Sequence, residues 1–409
     1  MIDPIRIRED FPMYSRDGKY KGLPLHYLDN GATTFKPQCV IDEADRYEKE
    51  VTANTKRADY ALAHDADVVY DDSRRAVSKF INAAFDEVCF TSGDTMALNQ
   101  VAFGLAHTLK EGDEIVISYH EHASVVLPWY RVAEHTGAVV RFVPLDAEGR
   151  ITPEALESVV SEKTKVVCLA STTNVLGYSL DVKRMAAIAH SVGAVYVDDG
   201  AQSVPHKKTD VRQTDTDFLC FSGHKMCGPT GIGVMYGKYD MLKELTPLMW
   251  GGEMNSRFDE KGGISLDDPP SRFEAGTQNI AGAMGLAEAC RYLDRIGFDS
   301  IHAHEQKLRR HALEGMLGLP KVKVYNPDSD AGIIAFNHTE VFAQDAATWL
   351  GSKGVYVRSG THCSKLLPLY TGAPATVRAS FYIYNSIDDA DALVDAVSHT
   401  EDFLDVYFR

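Results

Sequence analysis

The chain has 409 residues, with 42 basic against 58 acidic side chains, a net charge of −16, and 24% charged and 44% hydrophobic residues. The length exceeds one small domain, and the acidic balance argues against a nucleic-acid binder held by phosphate contacts. No apolar run approaches the ~18 residues of a membrane-spanning helix. Met1–Arg6 has neither a charged n-region nor an apolar h-region, so no secretory signal is expected. Seven dispersed cysteines without CxxC spacing (Cys39, Cys89, Cys168, Cys220, Cys227, Cys290, Cys363) fit a reducing cytoplasm better than a disulfide framework.

In chain order, short β-rich runs stand at Glu87–Thr91, Glu114–Ser118, Val139–Val143, Lys165–Ser171, Ala194–Asp198, Asp217–Ser222 and Gly231–Tyr236. Helical stretches separate several of them. Thr91-Ser92-Gly93-Asp94-Thr95 opens a helix over Met96–Leu109, and Thr152-Pro153 opens another with proline at its first position. Asp181 opens a third, which Gly193 closes. Such alternation predicts a mostly parallel sheet covered by helices, with ligands bound past the C-terminal ends of strands. Gly251–Gly276 reads as an irregular connection, 280–318 as helical, and the remainder as a smaller α/β region ending in the helical Asp388–Arg409, with a boundary near 293.

Four motifs lie just past predicted strands. Ser222-Gly223-His224-Lys225 offers a lysine for Schiff-base chemistry, or simply a surface lysine in a glycine-rich turn. Asp199 could pair with a protonated pyridine nitrogen, or cap a helix or bind a metal. The hydroxyls and N–H groups around Thr95 could cradle a phosphate, although most such helix starts bind nothing. His120-Glu121-His122 is either half of a metal site or the source of an imidazole lying on a ring. Together a phosphate cup, a stacking histidine, a pyridine aspartate and a Schiff-base lysine describe a pyridoxal-phosphate site of the aspartate-aminotransferase-like fold. Ser364 and the Gly360-Thr361-His362 stretch set Cys363 apart from the cysteines of the apolar runs.

These motifs resemble, nearly end to end, the class V pyridoxal-phosphate enzymes, and within them the group II (SUF-type) cysteine desulfurases and selenocysteine lyases. The resemblance runs through Tyr27–Thr34, Glu121-His122, Thr173–Gly177, Asp199–His206, Ser222–Lys225, Gly228–Gly233, Arg272–Thr277, Arg358–Cys363 and Arg378–Asn385. It implies an α/β chain of fold type I. A mostly parallel seven-stranded sheet would lie in a large domain (18–293), followed by a smaller C-terminal domain (294–409) and preceded by an N-terminal arm (1–17). It also implies pyridoxal 5′-phosphate as cofactor and a homodimer.

Site roles follow by matching positions. Lys225 would hold the cofactor, Asp199 its ring nitrogen and Gln202 its ring hydroxyl, with His122 stacked on the ring and moving protons. Thr95, Ser222 and His224 would bind the phosphate, joined by Thr277 of a second subunit. Asn174, Arg358 and Arg378 would grip the substrate carboxylate, which a guanidinium suits through two parallel hydrogen bonds. Cys363 would take the substrate sulfur as a persulfide, with Arg358 and His362 as nearby positive or polar influences. Cys363 and Arg378 stand 15 positions apart, a short tether that implies limited reach and an acceptor of the SufE or SufU type.

Four departures from the family pattern fall near this site: Lys56 in Asn54-Thr55-Lys56-Arg57, Asp94 beside the phosphate cup, Thr361, and Ala123-Ser124 after His122. A selenocysteine lyase, or another class V lyase or aminotransferase, is the neighbouring alternative. A cofactor-free scaffold or zinc protein using His120, His122 and cysteines is the remote one. No metal, nucleic acid or membrane partner is expected.

Overall fold

Valine-, isoleucine- and phenylalanine-rich runs too short for helices set the centre of the molecule. In the computed structural model, which describes residues 2–14, 17–56 and 59–406, these runs form seven strands. They are β1 (Val88–Thr91), β2 (Glu114–Ser118), β3 (Val139–Val143), β4 (Thr164–Ala170), β5 (Val195–Asp199), β6 (Phe218–Ser222) and β7 (Gly233–Gly237). Their order among the described residues is β1-β7-β6-β5-β4-β2-β3. All pairings are parallel except those of β7 with β1 and β6.

Both faces of this sheet are buried along its inner strands, as their near-continuous apolar runs require, while the edge strand β3 is partly exposed. The pleat sends alternate residues to opposite sides. Val88, Phe90, Leu219, Phe221, Val234 and Tyr236 join one core, against α1 (Ala61–Phe80) and, after the later strands, the helix Ile280–Ile296. Cys89, Phe218, Cys220 and Met235 join the other, against α2 (Asp94–Leu105) and α3 (Ala123–Thr136). Thr152 and Asp181 cap their helices through the N–H groups of Ala155 and Arg184.

A second sheet of four antiparallel strands follows: β8 (Val322–Val324), β9 (Ile333–His338), β10 (Arg358–Gly360) and β11 (Thr376–Ser380), in the order β8-β9-β11-β10. Val377 and Ala379 pack into a core with Leu308, Trp349 and Leu393 from the helices Phe298–Leu317, Ala343–Ser352 and Ile387–Ser398. Arg378 alternates to the opposite face, toward the large sheet. Segment 28–34 bridges the two sheets: Ser380 N–H donates to Leu28 O and Ser380 Oγ accepts from Gly31 N–H on one side, and Thr34 N–H donates to His224 O, just past β6, on the other.

Residues 251–276 are more ordered than an irregular connection. They contain an antiparallel hairpin, Asn255–Phe258 with Ile264–Leu266. Its turn is built by Asp259, whose Oδ1 accepts from the N–H groups of Lys261 and Gly263. The predicted helix over Met96–Leu109 begins two residues earlier and ends at Leu105, followed by a tight 3₁₀ turn, Ala106–Thr108. Among the described residues no helix is long and apolar enough to cross a membrane.

Candidate active site

The C-terminal ends of β1, β5 and β6 and the loop after β2 meet β10 and β11 around a cavity of ≈ 180 Å³. Its walls include Thr95, His122, Asn174, Gln202, Ser222, His224, Lys225, Arg358, Cys363 and Arg378. Ten of the twelve residues singled out from sequence are thus brought to one space. Asp199 lies buried beside it and acts electrostatically on Lys225. Thr277 is exposed and outside it within this chain.

One end of the cavity is a cup at the start of α2. The chain turns into the helix at Gly93, with φ +149°, and a Cβ on the facing Gly233 would lie 2.5 Å from Gly93 Cα. Only glycine permits this approach of β7 to the turn. Ser222 Oγ accepts from Asp94 N–H at 2.8 Å. Thr95 Oγ1 lies 2.7 Å from Ser124 Oγ, which lies 2.9 Å from His122 Nδ1.

His122 is the N-cap of α3, and its Nδ1 accepts from Ser124 N–H. The proton of the neutral ring therefore sits on Nε2. Burial, with Lys225 and two arginines nearby, pushes the ring down to about 4, so it is uncharged at neutral pH. His120 points elsewhere: its Nε2 meets Gly149 O at 2.5 Å in the core. The two histidines diverge, and among the described residues no three His, Cys, Asp or Glu side chains gather as metal ligands.

Lys225 ends a 3₁₀ turn directly after β6. Burial lowers its amine from the ordinary lysine value, opposed by Asp94 and Asp199. Asp199 Oδ1 accepts from Ala201 N–H at 3.0 Å, and Gln202 Nε2 donates to Gly31 O at 2.8 Å. This orients the amide so that its oxygen remains available.

The opposite wall is cationic. Arg358 and Arg378 are directly paired across β10 and β11. Like charges opposite one another are unfavourable unless an anion sits between or beside them. Asp29 supplies part of this, accepting from Arg378 Nη2 at 3.3 Å, while Arg378 Nη1 donates to Asn174 O.

Cys363 is partly exposed and sits on a left-handed turn, with φ of 51° at His362 and 64° at Cys363. Such conformations cost of order 1 kcal/mol each for non-glycine residues and persist only when clamped. Three bonds supply the clamp. Asn174 Nδ2 donates to His362 O at 2.8 Å, Ser364 Oγ donates to Asn174 Oδ1 at 2.7 Å, and Ala123 N–H donates to Cys363 O at 2.9 Å. His362 itself is buried against Thr376 and pushed down to about 3, so it is a polar but uncharged neighbour. Cys227 is fully buried, and burial pushes its thiol up to about 12.

Ser124, Asp29, Gly31 and Ser364 were not singled out for the site. Ser124 and Ser364 carried a signal in their adjacency to His122 and Cys363; Gly31 lines the cavity, and Asp29 backs it through Arg378, both from a distant segment. Lys56 lies outside the cavity, its Nζ donating to Ser271 Oγ, and Arg57 lies outside the described residues. Thr361 also faces away from the cavity. The donor set fits pyridoxal phosphate: a buried amine, a buried carboxylate behind it, a neutral imidazole, and hydroxyls at a helix start next to a cradle that only glycine permits.

Residues 26–393 match the family described as Aminotransferase class-V. A Staphylococcus aureus protein named "Probable cysteine desulfurase" is 42% identical over 412 residues, covering 100% of this chain and 99% of that one. The structure of a cysteine desulfurase from Thermococcus onnurineus superposes with a TM-score of 0.92 at 36% identity, covering 98% of both chains. That of the Escherichia coli cysteine desulfurase CsdA superposes with a TM-score of 0.90 at 33% identity, covering 98% of this chain and 99% of the other.

Proposed function

The chain belongs to the class-V aminotransferases and, within them, to the cysteine desulfurases, and from that premise we propose that it converts L-cysteine to L-alanine while Cys363 takes the sulfur as a persulfide. The observation that carries this reading is the placement of Cys363, on a clamped turn, in the same cavity as Lys225. Pyridoxal phosphate is the cofactor, and when bound it supplies an electron-withdrawing ring conjugated to the substrate.

Lys225 Nζ would hold the cofactor, Asp199 its ring nitrogen, Gln202 its ring hydroxyl, and Thr95, Ser222 and His224 its phosphate. Arg378 and Arg358, with the second hydrogen of the Asn174 amide, bind the substrate carboxylate. Lys225 Nζ moves the Cα proton, and His122 Nε2, carrying its proton in the neutral ring, exchanges protons near the sulfur. The Cys363 thiolate attacks the substrate sulfur. An S–S bond forms as the substrate C–S bond breaks, the electron pair stays with the carbon skeleton, and protonation of that carbon yields alanine. Asn174 belongs to both the carboxylate grip and the cysteine clamp, so substrate binding and sulfur attack share one side chain.

The short tether from Cys363 to Arg378 and the three-bond clamp support a SUF-type enzyme that needs a dedicated acceptor, of the SufE or SufU type, feeding iron–sulfur cluster assembly. Six further free thiols support a reducing, cytoplasmic setting. A break at Gly297 between the helices Ile280–Ile296 and Phe298–Leu317 supports a large unit over 18–293 and a small one over 294–409. An ion pair from Arg8 to Asp389 supports an N-terminal arm docked on the latter.

Purified protein is expected to be yellow and to release alanine and sulfide from L-cysteine in equal amounts with a reductant. Lys225→Ala should abolish the visible absorption band and the turnover. Alanine formation undiminished in Lys225→Ala would refute the assignment.

We also read the protein as a homodimer, with Thr277 serving the neighbouring subunit's phosphate. Met249, Trp250, Phe258 and Ile264 are each more than half exposed in the segment that leads to Thr277. Monomers seldom leave so many large apolar side chains in water. Light scattering should give twice the mass of the 45.1 kDa chain; a monomer at working concentration would remove Thr277 from the site.

A further inference from the structure

The phosphate cup contains an acid. Asp94 is the first residue of α2, is 7% exposed, and lines the cavity with Thr95, Ser222, His224 and Lys225. Its backbone N–H is used by Ser222 Oγ, but its carboxyl Oδ1 is buried without any hydrogen-bond partner. An unpartnered buried acceptor is costly, and an ionised one beside a phosphate dianion would be repelled as well. The same atom carrying a proton would be a donor on a residue that lines the cavity.

The surroundings favour the protonated form. Asp199 and Asp198 add negative charge next to Asp94, and Lys225 opposes them. A lysine engaged with the cofactor's aldehyde is less free to neutralise a second carboxylate. The imidazoles of His224 and His122, across the cavity, are both held down to about 4 and are uncharged near neutral pH. Arg378 and Arg358 are on the far wall, with Asp29 on Arg378. Burial, first, and then the two aspartates push the Asp94 carboxyl well above the usual carboxylate range.

We propose that Asp94 serves the cofactor as a neutral acid, its carboxyl O–H donating a hydrogen bond to a phosphate oxygen, so that cofactor affinity depends on Asp94 keeping its proton. The proposal rests on the reading of the cavity as a pyridoxal-phosphate site and adds a pH dependence to it. The sign follows from a raised value in the folded protein. Affinity is fully present below that value, where the proton is held. It is lost as pH rises through it, because the carboxylate then faces the phosphate. The cofactor's phosphate, with a second pKa near 6, is already a dianion above about pH 7, so a change beyond that point belongs to the protein.

Equilibrium dialysis of the full-length chain, stripped of cofactor, measures affinity for pyridoxal phosphate and for phosphate-free pyridoxal between pH 7 and 9. Their ratio cancels the titration of Lys225. In the wild type the ratio should fall once the pH passes the point at which Asp94 gives up its proton, by at most tenfold per pH unit beyond it. In Asp94→Asn and Asp94→Ser it should stay flat, with the phosphate form bound more tightly than by wild type at pH 9. The same fall in Asp94→Asn overturns the role of Asp94, as does a flat wild-type ratio accompanied by an undiminished preference for the phosphate form in Asp94→Ala, which has no donor. A wild type that binds neither compound, or shows no preference for the phosphate form at any pH, overturns the cofactor reading instead.

Discussion

Cys363→Ala is expected to lose desulfuration while keeping its cofactor. The side chain of Cys363 plays no part in the clamp on its turn, which runs through the His362 and Cys363 carbonyls and the Asn174 and Ser364 side chains. The variant should therefore fold, retain the visible band and bind L-cysteine. With no thiolate to accept the substrate sulfur, alanine formation should drop by ~10³-fold or more, the scale on which removal of an activated nucleophile is felt. Mass spectrometry of the wild type after limiting L-cysteine and no acceptor should show one extra sulfur on the peptide containing Cys363, and none on that containing Cys227. Near-normal alanine production by Cys363→Ala would refute direct sulfur attack by this residue.

Glu274→Ala is expected to be the most destabilising single change. The carboxylate is fully enclosed and accepts from Arg74 Nη1 and Nη2 at 2.7 and 2.8 Å, from Tyr70 OH at 3.0 Å and from Phe90 N–H at 2.8 Å. Arg74 lies 1% exposed between the rings of Tyr70 and Phe90 and also donates to Val88 O. Removing the acid leaves a guanidinium buried with no counter-charge, which costs about 3–5 kcal/mol. Replacing both partners with apolar residues of similar volume should recover most of that loss, because the penalty comes from the orphaned charge rather than from the missing pair. Denaturant unfolding measures both variants, and a loss below ~1 kcal/mol in Glu274→Ala would show that Arg74 finds another route to solvent. The pair links the start of β1, which leads into the phosphate cup, to the segment carrying Thr277. Weakened cofactor retention should accompany the loss of stability.

Fold and site differ in how far they were legible. All seven central strands lie within a few residues of their apolar runs, and Thr152 and Asp181 cap the helices they were expected to open. These are local properties of pleat, cap and turn. The hairpin Asn255–Phe258 with Ile264–Leu266 escaped because glycine and aspartate dominate the segment and mask a short alternation. The signal was Asp259, which builds the turn with its own side chain.

Residue type and position past a strand were enough to nominate Lys225, Asp199 and His122, because in a parallel sheet every such loop opens on the same edge; Gln202 was nominated by the family resemblance, and Cys363 by its polar neighbours and that resemblance. Their surroundings were not legible. Nothing local to His120-Glu121-His122 distinguishes the histidine that enters the core from the one that enters the cavity; that choice is made by the cap of α3 and by Gly149. Nor does the motif around Cys363 announce that Asn174, nearly 190 positions away, clamps its turn, or that Asp29 steadies Arg378 from the other end of the chain.

Length, charge and scattered cysteines set a large acidic chain of α/β class, and its strand-end motifs set the chemistry it can carry. Tertiary structure alone decided the electrostatics of that chemistry: a neutral His122, an unpartnered carboxyl oxygen at Asp94, and paired arginines on one wall of the cavity. Burial and long-range neighbours set these states, and both arise only when segments far apart in sequence are packed together.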